Sequence, residues 1–508
     1  MILQTIARNA FWNALGTSGG IALGVVTSTV IARSLGPADT GVYAYALWLI
    51  GVVVTLINLS LPKAAARFGA EFLARGDSSG AWALLQRVAM CELGLGTLAT
   101  VAMSLGAWWW ASPELRLPLA VAGMVVVPAA LANVFQSAVY GAQDYRAANR
   151  VALLLSAGQL VLVLAMVRLG WDVPGLVGAV LVRQLAYASF LACHVRQLYP
   201  DRPPRAALAA AQRRQVLAYI RDTTMALLIA LVVWDRSEVF FLRHYASSEQ
   251  IAFYVLAYEY AAKAMSVPRM FSGVLMPSVS TLYGRGDGRS IGRIFVGGSR
   301  LIGLIALPIG VGGAALAPTF VQLVLGSEYR PVGWLLSALL VCNVFGAVSA
   351  VSAAVAYGVY DANDRFLIVK VGLATMVLNL GLDVLLIPRW AAVGAVVANS
   401  VSQITASVIG CVYIASRLGT GFPLAALGQA TVAAVGCGIL AYGVTLVVPG
   451  WLGLVLALFL LSGAYVLFLA WTHALAPEDL STLGRLADWL PRPVAHPYRR
   501  ALGWWGRS

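Results

Sequence analysis

The chain has 508 residues, of which 60% are hydrophobic and only 11% are charged. Soluble domains contain about 45–50% apolar and about 25% charged residues, so this composition excludes a soluble globular protein and predicts an integral membrane protein. The formal net charge of +14 does not require a nucleic-acid partner, because membrane proteins concentrate Lys and Arg in their cytoplasmic loops.

Apolar runs of about 20 residues, the length needed to cross a bilayer as a helix, follow one another along the whole chain. The sequence therefore predicts an all-α polytopic membrane protein. About fourteen transmembrane helices are expected, at residues 10–32, 38–61, 82–110, 117–141, 150–168, 174–195, 217–242, 250–275, 293–316, 332–358, 365–387, 391–415, 425–448 and 451–474.

The distribution of basic residues predicts the orientation of these helices. With the N-terminus inside, the inner segments hold most of the 35 Lys and Arg residues. An even number of spans then places both termini in the cytoplasm. The final segment, 475–508, has leucines at helical spacing followed by Trp and Arg, which predicts an amphipathic basic tail on the inner membrane surface.

The chain also repeats itself. "ARGD" ending at Asp77 recurs as "GRGD" ending at Asp287, 210 positions later, and "VYGAQD" ending at Asp144 recurs as "AYGVYD" ending at Asp361, 217 positions later. Arg33 and Asp39 recur as Arg243 and Glu249 after 210 positions, and VGAV ending at Val180 recurs at Val396 after 216. These four matches in order, at nearly constant offset, indicate a duplication of six helices with the same orientation. The two RGD tripeptides are interpreted as turn and positive-inside residues.

The duplication predicts two parallel lobes, and transporters built in this way commonly have their substrate path between the lobes. The predicted segments are an N-terminal six-helix lobe at 1–215, a second six-helix lobe at 216–424, two extra helices at 425–474 and the tail at 475–508.

Enzyme and metal signatures are missing from the sequence. None of the three lysines lies in a GxxxxGK[ST] motif, which argues against ATP hydrolysis, and no DxD or HExxH motif is present. The five cysteines lie within apolar segments without a CxxC pair, and the four histidines are scattered. We therefore expect no enzymatic activity, no metal and no cofactor.

Charged residues inside the apolar helices are the most informative feature. A central Asp, Arg or Lys costs about 2.5–3.5 kcal/mol, so such a residue faces water, protein or a partner. The stretch LLIALVVWDRSEVFF, residues 227–241, carries Asp235, Arg236 and Glu238 within four positions. Asp235 and Glu238 share one helix face, whereas Arg236 projects about 100° away.

Other helices add to this set. The next helix has Glu259 and Lys263 at the favourable i, i+4 spacing. Arg183 lies in the sixth predicted helix and Asp383 in the eleventh. The first helix presents one polar or small face, formed by Asn13, Thr17, Gly20 and Gly24.

Two interpretations of these charges stay open. They either pair with one another and only lock helices together, or they perform a task in a cavity. At offset 210 the first-lobe counterparts of Asp235, Glu238 and Glu259 are Val25, Ser28 and Leu49. This asymmetry favours a task, although drift after duplication would also produce it.

The segment ARSLGPADTGVYAYALWLIGVVVTLINLSLPKAAARFGAEFLARGD resembles the opening of bacterial polysaccharide exporters. These are the O-antigen and capsule oligosaccharide flippases of the multidrug/oligosaccharidyl-lipid/polysaccharide superfamily. Their pattern runs LG-x-x-x-x-G-x-Y and later G-L-P-x-x-x-x-R-x-x-A-E. It is matched at Leu35, Gly36, Gly41, Tyr43, Leu61, Pro62, Arg67, Ala70 and Glu71. Ser60 stands where the family has Gly. Asp235, Arg236 and Tyr254 match a second family pattern.

The resemblance implies a flippase that carries an undecaprenyl-pyrophosphate-linked oligosaccharide, such as an O-antigen or exopolysaccharide unit, to the outer leaflet of the bacterial inner membrane. Arg67 and Arg236 would contact phosphate, since the guanidinium fork suits phosphate. The remaining candidates for substrate binding are Lys263, Arg183 and Asn13, and those for H⁺ or Na⁺ coupling or charge balance are Asp235, Glu238, Glu259 and Asp383. Expected partners are the lipid-linked glycan, the bilayer, and a polysaccharide polymerase or export machinery.

Two rival functions remain at this point. A multidrug and toxin extrusion antiporter of the same superfamily would take cationic drugs, and the net charge of −1 in helices seven and eight does not exclude it. A lipid-linked sugar polymerase or ligase would need a functional outer loop, which the short outer loops do not offer.

Overall fold

The computed structural model describes residues 2–199, 210–234, 236–272, 275–359 and 362–472. Within these ranges every regular element is a helix, and ten stretches are long and apolar enough to cross a membrane. The predicted all-α polytopic class is therefore confirmed. The predicted tail at 475–508 lies outside the described residues.

The helices are numbered in chain order. They are α1 Ile2–Asn58, α2 Leu61–Ala74, α3 Ser78–Trp110, α4 Pro113–Gly141, α5 Tyr145–Arg168, α6 Val173–Leu198, α7 Ala210–Trp234, α8 Glu238–Tyr245, α9 Ser248–Ala264, α10 Ser266–Ser272, α11 Leu275–Gly284, α12 Gly288–Leu307, α13 Gly313–Val324, α14 Arg330–Gly358, α15 Ala362–Leu418, α16 Leu424–Val447 and α17 Gly450–Trp471. A π-helical turn, Pro308–Gly312, joins α12 to α13, and a 3₁₀ turn, Ser327–Tyr329, precedes α14.

Two of the helices each contain two predicted spans. Helices α1 and α15 have 57 residues each, so a straight helix of that length would measure about 86 Å, nearly three times the hydrocarbon thickness. Each is broken once: Gly36 in α1 has φ 74°, and Ala391 in α15 has φ 46°. Ten stretches of the described structure are long enough to cross a membrane, and two of them, in α1 and α15, contain two predicted spans each. The described residues therefore account for twelve of the fourteen predicted spans.

The prediction of one continuous seventh helix over residues 217–242 is wrong, because the helix is interrupted. Helix α7 ends at Trp234 and α8 begins at Glu238. Between them Arg236 adopts φ 61°, a left-handed conformation that terminates helices. The counterpart segment of the first repeat, around Val25, lies within continuous α1. The charged stretch that stands out in the sequence is thus a helix break. The predicted eighth helix, 250–275, is likewise divided into α9 and α10.

The contacts between helices divide the chain into two units, and each is described by itself. Unit 1 ends at Ala252 and unit 2 begins at Phe253. Unit 1 includes α7, because α7 packs on α1 and α2 and buries Val216 among residues of α2, α3 and α4. The lobe limits expected from the repeat, with a boundary at 215, stay a prediction.

Helix α4 is the central helix of unit 1. It packs against α1, α2, α3 and α6. Its first half, with Val125 and Val126, joins an apolar cluster with α1, α5 and α6, whereas its second half, with Val134 and Val139, joins a cluster with α2, α3 and α7. Buried apolar area of this kind contributes about 25 cal/mol per Å² in water, but within a bilayer close packing takes over this role.

Helix α14 occupies the corresponding place in unit 2, where it packs against α11, α12, α13 and α15. Helices α4 and α14 each have 29 residues, and α14 begins 217 positions after α4. The stretch from α12 to α13 is four residues longer than α3, and the linker that follows it is three residues longer. These seven residues account for the change of offset from 210 to 217.

The two RGD tripeptides form the same turn. Gly76 and Gly286 have φ 77° and 72°, and each is followed by an aspartate that caps the next helix. Asp77 Oδ1 accepts a hydrogen bond from Gly80 N at 2.8 Å, and Asp287 Oδ1 accepts one from Ser290 N at 3.0 Å. The interpretation of these tripeptides as turns is confirmed, since left-handed glycine and an aspartate N-cap are both turn chemistry.

The cap at Asp77 makes a testable contribution to stability. Its hydrogen bonds, first that from Gly80 N and then those from Gln212 and Ser79, lower the pKa of this carboxyl below its usual range. The stabilisation is therefore present above the ordinary Asp pKa and is lost as pH falls through the lowered one. We expect Asp77→Ala to cost about 1 kcal/mol at pH 7. Asp77→Asn keeps an acceptor, so it should keep most of the thermal stability while removing this pH dependence. Equal melting temperatures at pH 7 for the wild type, Asp77→Ala and Asp77→Asn would contradict a stabilising role for this N-cap.

Ser60 lies in a conformation that suits glycine. It precedes α2 with φ 62°, and its buried hydroxyl makes no hydrogen bond within the described structure. Glycine adopts this conformation without the steric cost of a β-carbon. We expect Ser60→Gly to stabilise the protein by about 1 kcal/mol, measured as a raised melting temperature in detergent. Ser79→Gly, within the first turn of α3, serves as the contrast and should destabilise. A lower melting temperature for Ser60→Gly would contradict the expectation.

Candidate functional site

A polar cluster between α4, α5 and α6 surrounds Arg183 in unit 1. The half-buried Arg183 guanidinium donates from Nη2 to Ser156 Oγ at 3.4 Å, and its buried Nε makes no hydrogen bond within the described structure. On the same helix as Arg183, Tyr187 accepts a hydrogen bond from Gln136 Nε2 at 3.0 Å. The cluster therefore holds a fixed cation with unused donor capacity in an apolar span.

Arg67 lies on an exposed face of α2. Its guanidinium carbon is 4.7 Å from the ring centroid of Tyr219, on α7, and 5.3 Å from that of Phe68. The Phe68 and Tyr219 rings meet edge to face at 5.6 Å. These aromatic faces hold the cation in place by cation–π attraction and leave its hydrogen-bond donors available to an anion.

The break between α7 and α8 positions the second predicted phosphate ligand. Arg236 is half-buried there, and its carbonyl accepts a hydrogen bond from Val239 N at 3.0 Å, which starts the first turn of α8. Glu238 is fully buried in that turn. Asp235 lies outside the described residues. The break therefore places one cation and one carboxyl next to irregular backbone.

The predicted small face of the first helix is partly open. A β-carbon at Gly20 would meet nothing within 4 Å, whereas one at Gly16 would clash with Asn149 and one at Gly19 with Leu153. The glycines at 16 and 19 thus allow α1 to approach α5, and the face at Gly20 is left uncovered by unit 1. The side chain of Asn13 lies outside the described residues.

In unit 2, Glu259 and Lys263 pair with each other on α9. The Lys263 Nζ to Glu259 Oε2 distance is 3.3 Å, and Nζ lies 5.9 Å from the Tyr260 ring centroid. The side chains are 23% and 33% exposed for Lys263 and Glu259 respectively. This favours the interpretation of mutual pairing for these two residues, because an ion pair neutralises the charge that a substrate would meet.

Asp383 belongs to a buried polar stripe on α15. Thr375, Asn379 and Asp383 recur every four residues and are all buried, and Asn379 Nδ2 donates to Asp383 Oδ2 at 3.3 Å. The stripe supplies hydroxyl, amide and carboxyl oxygens along one helix face. Such a set suits a proton or a small cation better than a bulky cation.

A second buried polar network in unit 2 contains an arginine that the sequence interpretation missed. Arg269 Nη2, on α10, donates to Asn343 Oδ1 at 2.9 Å, on α14. A β-carbon at Gly346 would lie 3.2 Å from Arg269 Nη2 and 3.7 Å from Gln403 Oε1. Glycine at 346 therefore leaves room for this cation beside the amide.

Glu92 is the second charged residue that was missed. It is fully buried on α3. With the Asn58 amide turned so that its nitrogen faces Glu92, that nitrogen lies 3.1 and 3.2 Å from the two carboxylate oxygens, and Asn58 oxygen accepts from Asn133 Nδ2 at 3.1 Å. A lone carboxylate in the middle of the predicted helix 82–110 was the signal that could have identified it.

The predicted residues are therefore distributed over both units. Arg67, Arg183, Arg236 and Glu238 lie in unit 1, and Lys263, Glu259 and Asp383 lie in unit 2. Among the predicted site residues that the structure describes, Glu259 and Lys263 form a salt bridge with each other. Arg183 is a cation within a membrane-length helix, Arg67 lies on the exposed face of α2 and Arg236 lies in the break before α8, and cations of this kind are what an anionic substrate requires.

A polytopic helical protein with charged residues inside its spans is the class that these observations define. The family model for "Polysaccharide biosynthesis protein" matches residues 30–333, which is more than half of the chain. The chain belongs to this family, and the predicted resemblance to polysaccharide exporters is confirmed. The model for "Lipid II flippase MurJ" also matches, at residues 255–463.

Individual relatives agree with this placement. "Probable flippase AglR" of Haloferax volcanii is 24% identical over 225 residues, which are 44% of this chain and 47% of that protein. The chain thus matches about half the length of this curated relative. Among solved structures, "Lipid II flippase MurJ, inward closed conformation" is 11% identical with TM-score 0.70, covering 91% of this chain and 98% of its own. A "multidrug resistance MATE family transporter of the MOP superfamily" is 18% identical with TM-score 0.57, covering 82% and 94%. At these identities, the two structures show the fold.

Proposed function

We propose that this chain is a flippase that moves an undecaprenyl-pyrophosphate-linked oligosaccharide from the inner to the outer leaflet by alternating access, for surface polysaccharide biosynthesis. The observation that carries the proposal is membership of the polysaccharide biosynthesis family over residues 30–333, in a chain with ten apolar membrane-length stretches. The match to the lipid II flippase model over residues 255–463 supports a lipid-linked substrate.

The chemistry of the substrate explains why such a protein needs cations inside its spans. A pyrophosphate with sugars cannot cross hydrocarbon unaided, because its charges and hydroxyl groups would be left without partners. Arg67, Arg183 and Arg236 are the proposed phosphate ligands, since a guanidinium offers a planar pair of donors to phosphate oxygens. Asn13 is a further proposed ligand, and Lys263 would join the binding set only if the substrate displaced it from its ion pair with Glu259. The lipid tail stays in the bilayer throughout.

The proposed setting is the bacterial inner membrane, with both termini in the cytoplasm. The excess of Lys and Arg in the segments placed inside supports this orientation. The protein would act there as a transporter rather than as an enzyme, and would hand its glycan to a polysaccharide polymerase or export machinery.

The membrane potential supplies one source of energy. A headgroup with about two negative charges that moves outward from a negative interior gains about 4–5 kcal/mol at 100 mV. Coupling to H⁺ or Na⁺ would add to this. Asp235, Glu238, Glu259 and Asp383 are the proposed coupling or charge-balancing residues, and the burial of Glu238 and Asp383 supports a role for them.

A reconstituted assay separates this function from drug efflux. Purified protein in proteoliposomes should move a fluorescent undecaprenyl-pyrophosphate glycan between leaflets, whereas a cationic dye such as ethidium should not be transported in a pH or Na⁺ gradient. Family membership favours the glycan lipid as the substrate. Transport of ethidium without movement of the glycan lipid would instead establish the multidrug antiporter.

A further inference from the structure

A basic cavity of about 680 Å³ lies in unit 1, and its lining contains none of the candidate residues described above. Four arginines line it: Arg87 from α3 and Arg213, Arg214 and Arg221 from the first half of α7. Leu217 and Ala218 form the wall between them. None of these residues has a place in the proposed transport site.

One face of α7 builds this cavity. Counted from Ala210, the lining residues 213, 214, 217 and 218 follow the i+3, i+4, i+7 and i+8 spacing of a single helix face, and residue 221 continues it at i+11. Other contacts fix α7 to unit 1. Away from the arginine face, Val216 is buried and Gln212 donates to Asp77 Oδ2 at 3.3 Å, and one turn after Arg221, Thr224 donates to the Leu59 carbonyl at 2.8 Å. The arginine face is thus presented by an anchored helix rather than by a free one.

Among the residues that the structure describes, Asp222 is the acidic partner of this cavity, and it pairs with Arg221 at 2.9 Å, with both side chains mostly exposed. Arg87, Arg213 and Arg214 make no hydrogen bond and no ion pair with any residue that the structure describes. Three guanidinium groups therefore face the same space with their donors unused, a charge set complementary to a phosphate-bearing ligand.

Its position favours a lipid over a soluble phosphate. The apolar run MALLIALVVW, residues 225–234, begins four residues after Arg221, about one helical turn. This spacing predicts that the end of the cavity at Arg221 lies at the level where headgroups meet hydrocarbon. Leu217, 54% exposed among the arginines, offers an apolar contact that a free phosphate would not need.

We propose that this cavity binds the phosphate-bearing headgroup of a lipid in the leaflet that faces the basic loops. Basic pockets between membrane helices on the cytoplasmic side are suited to anionic headgroups. The headgroup belongs either to an anionic phospholipid or to a polyprenyl pyrophosphate carrier, and both present the same phosphate oxygens. The inference does not depend on the proposed flippase function, since a bulk phospholipid would satisfy it.

Native mass spectrometry of the full-length protein in detergent tests the site. The probes are phosphatidylglycerol, undecaprenyl pyrophosphate and zwitterionic phosphatidylcholine. We expect the R87Q/R213Q/R214Q variant to bind at least one of the two anionic lipids about ten-fold more weakly than the wild type, or weaker still. Phosphatidylcholine binding should not change. The R87K/R213K/R214K variant keeps the charges and should bind more tightly than the glutamine variant.

A matched control removes the same charge elsewhere. R285Q/R289Q/R293Q changes three exposed arginines around the start of α12, in the equivalent turn of the repeat. Loss confined to undecaprenyl pyrophosphate would assign the site to the carrier lipid, and loss confined to phosphatidylglycerol would assign it to phospholipid. Loss for both would define a general phosphate-headgroup site. Unchanged binding of both lipids, or an equal loss in the control, would overturn the proposal.

Discussion

Replacing Gly41 by leucine is expected to be the most damaging single substitution for the fold of unit 1. A β-carbon at Gly41, on the second half of α1, would overlap with the carbonyl group of Ser248, at the start of α9. Backbone atoms cannot move aside as a flexible side chain can. We therefore expect a cost of about 3 kcal/mol or more, and a melting temperature in detergent lower by at least about 5 °C.

A glycine on the same helix supplies the control for this effect. A β-carbon at Gly51 would meet nothing within 4 Å, so Gly51→Leu should change the melting temperature little. Gly41→Ala should already be destabilising, since its β-carbon alone makes the clash. If Gly41→Leu and Gly51→Leu melted at the same temperature, the close approach of Gly41 to the Ser248 carbonyl group would be wrong.

Loss of export is the expected result of removing either proposed phosphate ligand. Arg67→Ala and Arg236→Ala should each lower the rate of glycan export about ten-fold or more, because a hydrogen bond to a charged group contributes about 1.5–3 kcal/mol. Both proteins should still reach the membrane, since Arg67 is exposed and Arg236 is half-buried in a helix break. The measurement is surface glycan per cell, normalised to the amount of membrane-inserted protein.

Arg75, the residue that follows α2, provides a matched control eight residues after Arg67. It is exposed and pairs with Glu71 at 2.6 Å, so it is already engaged with a neighbouring carboxylate. Arg75→Ala should export normally. Normal export from both Arg67→Ala and Arg236→Ala would refute the assignment of these residues to the phosphate site.

The helical architecture could be predicted from the sequence because apolar length alone determines which segments cross a bilayer. Every membrane-length stretch of the described structure coincides with one or two predicted spans. The repeat could also be recognised from the sequence, and the turns at Asp77 and Asp287 share their backbone geometry as well as their residue types. Ser60 shows the same agreement: the resemblance marks it as a departure from Gly, and its backbone is left-handed.

Helix breaks and buried networks were harder to predict, because they depend on contacts between distant segments. The break at Arg236 lies inside an apolar run, where hydropathy indicates one continuous helix. The partners of Glu92 and Arg269 are amides of other segments, Asn58 and Asn343, which no local pattern connects. The ion pair of Glu259 and Lys263 was predictable because i, i+4 spacing alone brings them together.

Mass spectrometry of the lipid fraction from cells with and without the gene tests the central claim most directly. The proposed flippase predicts that cells without the gene accumulate an undecaprenyl-pyrophosphate oligosaccharide on the inner leaflet and lose surface glycan. The mass of that lipid would also identify the sugars. An unchanged lipid pool together with normal surface glycan, in a strain without a second flippase gene, would contradict the proposed function.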